Sequence, residues 1–195
     1  MATTPPRVSE AAVDPQFLDR WSPQAFSPQP LTRAEIQTLL EAARWAPSSY
    51  NEQPWLFIFA HNAEDLARFR PLLVDQNRVW ADQAPVLVLI FARRHFTHNG
   101  KPNRHCMFDT GAAWMSLALQ ARKLGLYTHA MGGFHQDQAY EVLGVPADRF
   151  EAVCAVAIGR YGDVQQLPPA LAEKEQPGPR KPLAEVACEG AYRGR

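Results

Sequence analysis

The chain has no excess of charge of either sign: 20 Lys and Arg balance 20 Asp and Glu over 195 residues. Without a basic surplus it has little to neutralise a run of phosphates, and without a polybasic segment little to hold an anionic membrane surface. Nucleic acid and membranes are therefore excluded as expected partners, and the expected ligand is a small molecule. Cysteine is scarce. Cys106, Cys154 and Cys188 are odd in number, widely spaced and without a C-x-x-C pair, which argues against a disulfide framework and a zinc site and suits the cytoplasm. Long hydrophobic runs are also missing. The longest, Pro85 to Ala92, is far below the roughly 18 residues that span a bilayer, and Met1 to Ser9 carry no apolar signal core, so an unexported protein is expected. No G-x-G-x-x-G follows a strand, and neither G-x-x-x-x-G-K-[ST] nor G-x-S-x-G occurs, which removes the main support for Rossmann, P-loop and hydrolase chemistry. His95, His98 and His105 lie close together without acidic or thiolate ligands in register, so no metal is expected. Cys106 has His105 beside it, but adjacent side chains point apart and no orienting acid is evident, so a buried or bystander cysteine is expected rather than a nucleophile.

What is present is ordinary globular material, 46% apolar, of a length that fits one domain. Residues 1–15 are rich in Thr, Pro, Ala and Ser and read as a flexible N-terminal arm, followed by a single domain over 16–188 and a tail over 189–195. Thr32 and Glu35 form a capping box, and Ile36, Leu39, Leu40 and Ala43 recur at helical spacing until Pro47 stops the run. Trp55 to Ala60 reads as a strand and Ala63 to Leu73 as the helix after it. Val86 to Phe91 is apolar at every position, as for a strand covered on both faces at the centre of a sheet. A long helix follows over Gly111 to Leu124, with Gly125 at its C-cap. Then come a Gly132-Gly133 turn, a short helix over Gln136 to Leu143 and a strand over Ala152 to Ile158. Interleaved helices and strands mean α/β or α+β with a three-layer core. The last forty residues hold Pro168, Pro169, Pro177, Pro179 and Pro182 and read as an extended arm, of a kind that often wraps a second subunit.

Three polar clusters stand where an apolar fold needs none: Arg20-Trp21-Ser22-Pro23-Gln24-Ala25-Phe26, the run from Pro47 to Trp55, and Pro179-Arg180-Lys181-Pro182. Taken singly, the second also reads as a helix stop with its turn, and the others as exposed loop charges. Taken together and in order from Phe17 to Val186, they resemble the nitroreductase family of dimeric, FMN-dependent reductases. The segments that carry the resemblance are R-W-S-P-Q-A-F, A-R-W-A-P-S-S-Y-N-E-Q-P-W, D-T-G-A-A-W-M-S-L-A-L-Q-A-R-K-L-G-L, M-G-G-F, A-V-A-I-G-R and R-K-P-L-A-E-V.

The resemblance implies an α+β, three-layer α/β/α fold. Its central sheet would be mixed, mainly antiparallel and flanked by helices, with the C-terminal arm exchanged in a homodimer. It places Arg20 and Ser22 on the flavin phosphate and ribityl chain, with Trp21 in the same cofactor site, and brings Arg180, helped by Lys181, to the same phosphate. Pro47, Ser48, Ser49 and Asn51 would reach the flavin held mainly by the other subunit. Asn77 would meet the ring near its reactive nitrogen, with the backbone of Gly132 and Gly133 on the other side. Gln24 would face the pyrimidine edge, where relatives often carry Lys or Arg, and Trp80 stands where they carry a further lysine. A neutral Gln24 implies a lower flavin potential unless another arginine fills the gap. Trp80, Phe108, Trp114 and Met131 are candidate walls of a substrate cleft, although such residues at helical spacing serve equally as core. The implied activity is ping-pong hydride transfer from NAD(P)H through FMN to a nitroaromatic or quinone. A dehydrogenase or oxygen-using enzyme on the same fold, or a flavin-binding protein without turnover, remain as alternatives.

Overall fold

Val86, Val88 and Ile90 point to one side of their strand and Leu87, Leu89 and Phe91 to the other, and all six are buried. In the computed structural model, which describes residues 7–192, this strand is the inner one from which the fold is built. The first six residues of the expected arm and the last three of the tail lie outside the described residues. In chain order the elements are α1 (Gln16–Asp19), α2 (Arg33–Arg44), β1 (Trp55–Ala60), α3 (Ala63–Phe69), α4 (Asp75–Ala81), β2 (Val86–Arg93), α5 (Cys106–Lys123), β3 (Tyr127–Met131), α6 (Gln136–Leu143), β4 (Phe150–Gly159), α7 (Pro169–Ala172) and α8 (Leu183–Val186).

The sheet order is β1-β2-β4-β3 and every neighbouring pair is antiparallel. Among the described residues the sheet is thus antiparallel throughout, not mixed as expected. No parallel strand is added by residues after Gly159, where successive prolines remove the N–H donors that a ladder needs. Ile36, Leu39 and Ala43 of α2 and Ala113, Leu117 and Ala121 of α5 cover one face, against Val86, Val88, Ile90, Val156 and Ile158. Leu66, Phe69, Trp80, Ala81 and Ala139 from α3, α4 and α6 cover the other, against Leu87, Leu89, Phe91, Ala155 and Ala157. This is the expected three-layer core, in which each large aliphatic or aromatic side chain contributes about 1.5–3 kcal/mol by leaving water.

The capping box is present: the Thr32 hydroxyl accepts the Glu35 N–H at 3.2 Å and the Glu35 carboxylate accepts the Thr32 N–H at 2.7 Å. Glu35 also pairs with Arg160 at 2.6 Å, which ties the start of α2 to the residue after β4. Other boundaries differ from the sequence reading. The helix expected to run to Leu73 stops at Phe69 and tightens into a 3₁₀ turn over Arg70–Leu72, because Pro71 has no N–H to continue it. The long helix begins at Cys106, five residues before Gly111. The sequence reading assigned neither α4 nor β3, both short and weakly periodic. Two of the candidate cleft walls are core: Trp80 is 1% exposed and stacks on Phe26, and Met131 is 4% exposed. Trp114 is partly buried beside α2, and only Phe108 stands open to solvent. No helix among the described residues is long and apolar enough to cross a membrane.

Candidate functional site

The polar clusters of the sequence fall into three structural groups. The first gathers around Arg20, just after α1, whose Nη1 lies 3.4 Å from the Ser22 hydroxyl. Arg180 reaches the same region from the C-terminal segment, with its Nη1 donating to Pro179 O at 2.9 Å and Gly178 O at 3.3 Å, and exposed Lys181 follows it. A third guanidinium, that of Arg7, belongs to the arm read as flexible from sequence. Burial, then the nearby charges of Arg180 and Arg7, lowers the pKa of the half-buried Arg20. Burial and Arg180 do the same to Arg7. No ion pair among the described residues involves any of the three. Gathered cations without a carboxylate gain from an added anion, and guanidinium is the donor best shaped to hold a phosphate by two bonds.

The segment between Arg20 and Phe26 is fastened by its neighbours. Trp21 packs against Tyr127 and Tyr161 with ring centroids 6.0 and 5.7 Å away. The N–H groups of Gln24 and Ala25 both donate to the Glu175 carboxylate at 2.8 Å. The buried Pro23 carbonyl accepts a hydrogen bond from His129 Nδ1 at 2.8 Å, and the His129 ring lies 4.5 Å from that of Trp80. Burial holds the His129 pKa below its ordinary value; Arg20 adds to the effect and the Pro23 hydrogen bond opposes it. Burial thus disfavours the charged imidazole beside the Arg20 loop.

The second group joins the end of β3 to α4. Asn77 Nδ2 donates to Gly133 O at 2.9 Å, and the Val74 N–H reaches the same carbonyl at 3.2 Å. A Cβ on Gly133 would stand 2.7 Å from Asn77 Nδ2 and 2.9 Å from Val74 Cγ2, so only glycine fits. A Cβ on exposed Gly132 would meet nothing within 4 Å, which leaves an open ledge of backbone beside Asn77. His129 and Trp80 connect the first group to the second.

The third group, Pro47 to Asn51, stands apart. Its Ser49 N–H donates to the buried Asp109 carboxylate on α5 at 3.0 Å, and the Ser48 hydroxyl accepts the Gln53 N–H at 3.0 Å. Tyr50, Asn51 and Gln53 all have left-handed backbone, with φ of 54°, 54° and 51°. Such conformations cost of order 1–3 kcal/mol each for side-chain-bearing residues and persist where the surroundings impose them. Here the Glu52 carboxylate anchors the turn by accepting the Thr97 N–H at 2.8 Å. Sequence reasoning missed Arg7, Asp109, Glu175 and His129; only Asp109 lay inside a quoted motif. Between the N- and C-terminal segments a cavity of about 610 Å³ touches Arg7, Arg180 and Lys181, with Val13, Phe17 and Leu183 among its apolar walls.

The antiparallel sheet between two helical layers defines an α+β protein, and its arginine cluster forms no ion pair among the described residues, although Glu10 lines the same cavity. A family model described as the nitroreductase family matches residues 18–79 and 76–160, and the chain belongs to that family. A solved structure described as an oxidoreductase containing FMN is 47% identical, with a TM-score of 0.94 and full coverage of both chains. A Bacillus subtilis (strain 168) protein whose name proposes the NAD(P)H nitroreductase YdgI is 26% identical over 167 residues, covering 68% of this chain and 80% of that one. A nitroreductase family protein from Clostridium difficile 630 shares the fold, with a TM-score of 0.68 at 22% identity over 89% of this chain and 95% of that one.

Proposed function

We propose that the protein is an FMN-dependent NAD(P)H oxidoreductase that works as a homodimer on small oxidised acceptors. The observation that carries the reading is the convergence of Arg20 and Ser22 with Arg180, distant from them in sequence, into a cationic cluster that forms no ion pair among the described residues. When bound, FMN would supply the redox chemistry, hydride transfer from NADH or NADPH to a nitroaromatic or quinone in alternating half-reactions.

The chain's own residues bind and orient. Arg20, Ser22, Arg180 and Lys181 hold the phosphate, Trp21 shapes the loop beside it, and Gln24 faces the pyrimidine edge of the ring. Asn77 and the backbone of Gly132 and Gly133 meet the edge of the ring. Pro47, Ser48, Ser49 and Asn51 serve the flavin of the other subunit. In support, β1 and β3 are opposite edges of the sheet, so the turn before Trp55 and the ledge after Met131 are separated by at least three interstrand spacings, upwards of about 14 Å. The exposed residues 181–192, beyond the part of the segment anchored through Glu175 and Gly178, are the element available for exchange between subunits. Catalysis then rests on positioning and on exclusion of water, with no side-chain acid or base assigned. A cytoplasmic location agrees with three unpaired cysteines.

The test is the visible spectrum of protein loaded with FMN and desalted, recorded again after anaerobic NADH or NADPH, together with the mass in solution. Retained flavin bands that bleach, on a particle twice the 21.8 kDa chain, support the reading. Bands that persist favour a binding protein without turnover, and a colourless monomer refutes the shared site.

A further inference from the structure

The two segments expected to grip the phosphate are stitched together at both ends. At one end, Arg7 Nη1 donates to Leu18 O and to Arg20 O, both at 2.8 Å, and its Nε donates to Gly178 O at 3.2 Å. Arg20 and Arg180 project from the backbone that this one guanidinium holds, since Gly178 O also accepts from Arg180 Nη1. At the other end, the Glu175 carboxylate accepts the N–H groups of Gln24 and Ala25. Two neighbouring N-terminal stretches, around residues 7 and 18–25, and the distant stretch 175–180 thus share one set of hydrogen bonds. Each donor and acceptor in it is a backbone group or a charged side chain, and charge-assisted bonds of this kind are the stronger ones.

We infer that Arg7 is a positioning residue of the FMN phosphate site, fixing the backbone that carries Arg20 and Arg180 and adding its charge to theirs. The inference rests on the proposed flavin reading and goes beyond it, since it assigns the N-terminal segment to the site and predicts which part of the flavin it serves. A guanidinium meets three carbonyls with a planar fork of fixed N–H directions; an ammonium cannot reproduce that geometry, so lysine should not replace it. The effect belongs to the phosphate end of the ligand. Riboflavin, which lacks the phosphate, should be indifferent to it.

The experiment measures the dissociation constants of FMN and riboflavin by flavin fluorescence for the parent protein, Arg7→Ala, Arg7→Lys and Arg20→Ala, with thermal unfolding of each cofactor-free protein alongside. The expected result is a parent preference for FMN that shrinks by about tenfold or more in both Arg7 variants, with riboflavin affinity and thermal stability near the parent values. Glu175→Gln, whose amide oxygen can still accept one of the two N–H groups, should give a smaller loss of the same kind. An unchanged FMN to riboflavin ratio in Arg7→Ala, with Arg20→Ala losing it, overturns the inference and leaves the phosphate site intact. Equal weakening of both ligands, or a fall in stability that matches the loss of binding, assigns Arg7 to general folding and also overturns it. A parent protein with no preference for FMN, or an Arg20→Ala variant that keeps it, overturns the phosphate-site reading and the inference together.

Discussion

Adding one methyl group at Gly133 tests the junction between β3 and α4, because the structure says what that methyl would meet. The new Cβ would lie 2.7 Å from Asn77 Nδ2 and 2.9 Å from Val74 Cγ2, where ordinary contacts begin near 3.4 Å. The Asn77 amide can swing aside only by breaking its 2.9 Å hydrogen bond to Gly133 O, a loss of about 1 kcal/mol. Val74 cannot yield as easily: it is β-branched, it leads into α4, and its own N–H is bonded to Gly133 O. Overpacking of this kind costs about 1–3 kcal/mol, so Gly133→Ala should lose about 2–4 kcal/mol in all. For a domain of this size that is a fall in Tm of about 5–15 °C, read by circular dichroism on the cofactor-free protein. Gly132→Ala is the internal control, since its Cβ meets nothing within 4 Å and its Tm should stay within about 2 °C of the parent. In the same variant FMN retention should fall, because the methyl occupies the ledge assigned to the flavin. Equal Tm values for Gly133→Ala and the parent, or an equal fall in both variants, would refute the packing argument.

Further expectations follow from particular side chains. The Glu35 pKa is held below its ordinary 4.5, first by the Thr32 N–H and also by the Thr32 hydroxyl and Arg160, against the effect of burial. A carboxylate with a depressed folded pKa contributes stability above its unfolded value and loses it as pH falls through the folded one. Glu35→Gln should therefore cost about 1 kcal/mol at pH 7 in urea unfolding, with the gap to the parent closing in acid; a pH-independent gap would sink this account. Burial pushes the Cys154 thiol up to about 11, whereas Cys188 is exposed, so a thiol reagent at pH 8 should find one fast cysteine, and Cys188→Ser should remove it. A second fast thiol in the folded protein would contradict the burial that also raises Cys106, or that of Cys154. Gln24→Lys should raise the potential of bound FMN, by about 30 mV for each 1.4 kcal/mol of added attraction to the reduced ring, and spectroelectrochemical titration would detect it. An unchanged potential would mean that the side chain at position 24 does not face the ring.

How much was legible in the sequence differs element by element. The helix over Arg33–Arg44 was plain because its cap, its period and its stop are local signals that agree. The inner strand was plain because a sheet covered on both faces needs apolar side chains at every position, and Val86 to Phe91 have them. α4 was not, since D-Q-N-R-V-W-A is short and mostly polar, and only Trp80 and Ala81 are buried. Trp80 itself was ambiguous: an aromatic side chain serves a cleft or a core equally well until its neighbours are known, and here they are Phe26 and His129.

The candidate site divides in the same way. The sequence alone determined the family resemblance and singled out Arg20 and Arg180 as the arginines proposed for the phosphate, because guanidinium chemistry and the P-S-S-Y-N turn are written in residue types and their order. Tertiary structure decided what holds them. The reach of Arg7 to three carbonyls, the pairing of Glu175 with two N–H groups of the Arg20 loop, and the seating of Ser49 on Asp109 join residues far apart in the chain. Those bonds end largely on backbone N–H and C=O groups, which every sequence has in nearly equal supply. Composition and spacing therefore leave no trace of them, and only the folded path of the chain selects which carbonyl meets which side chain.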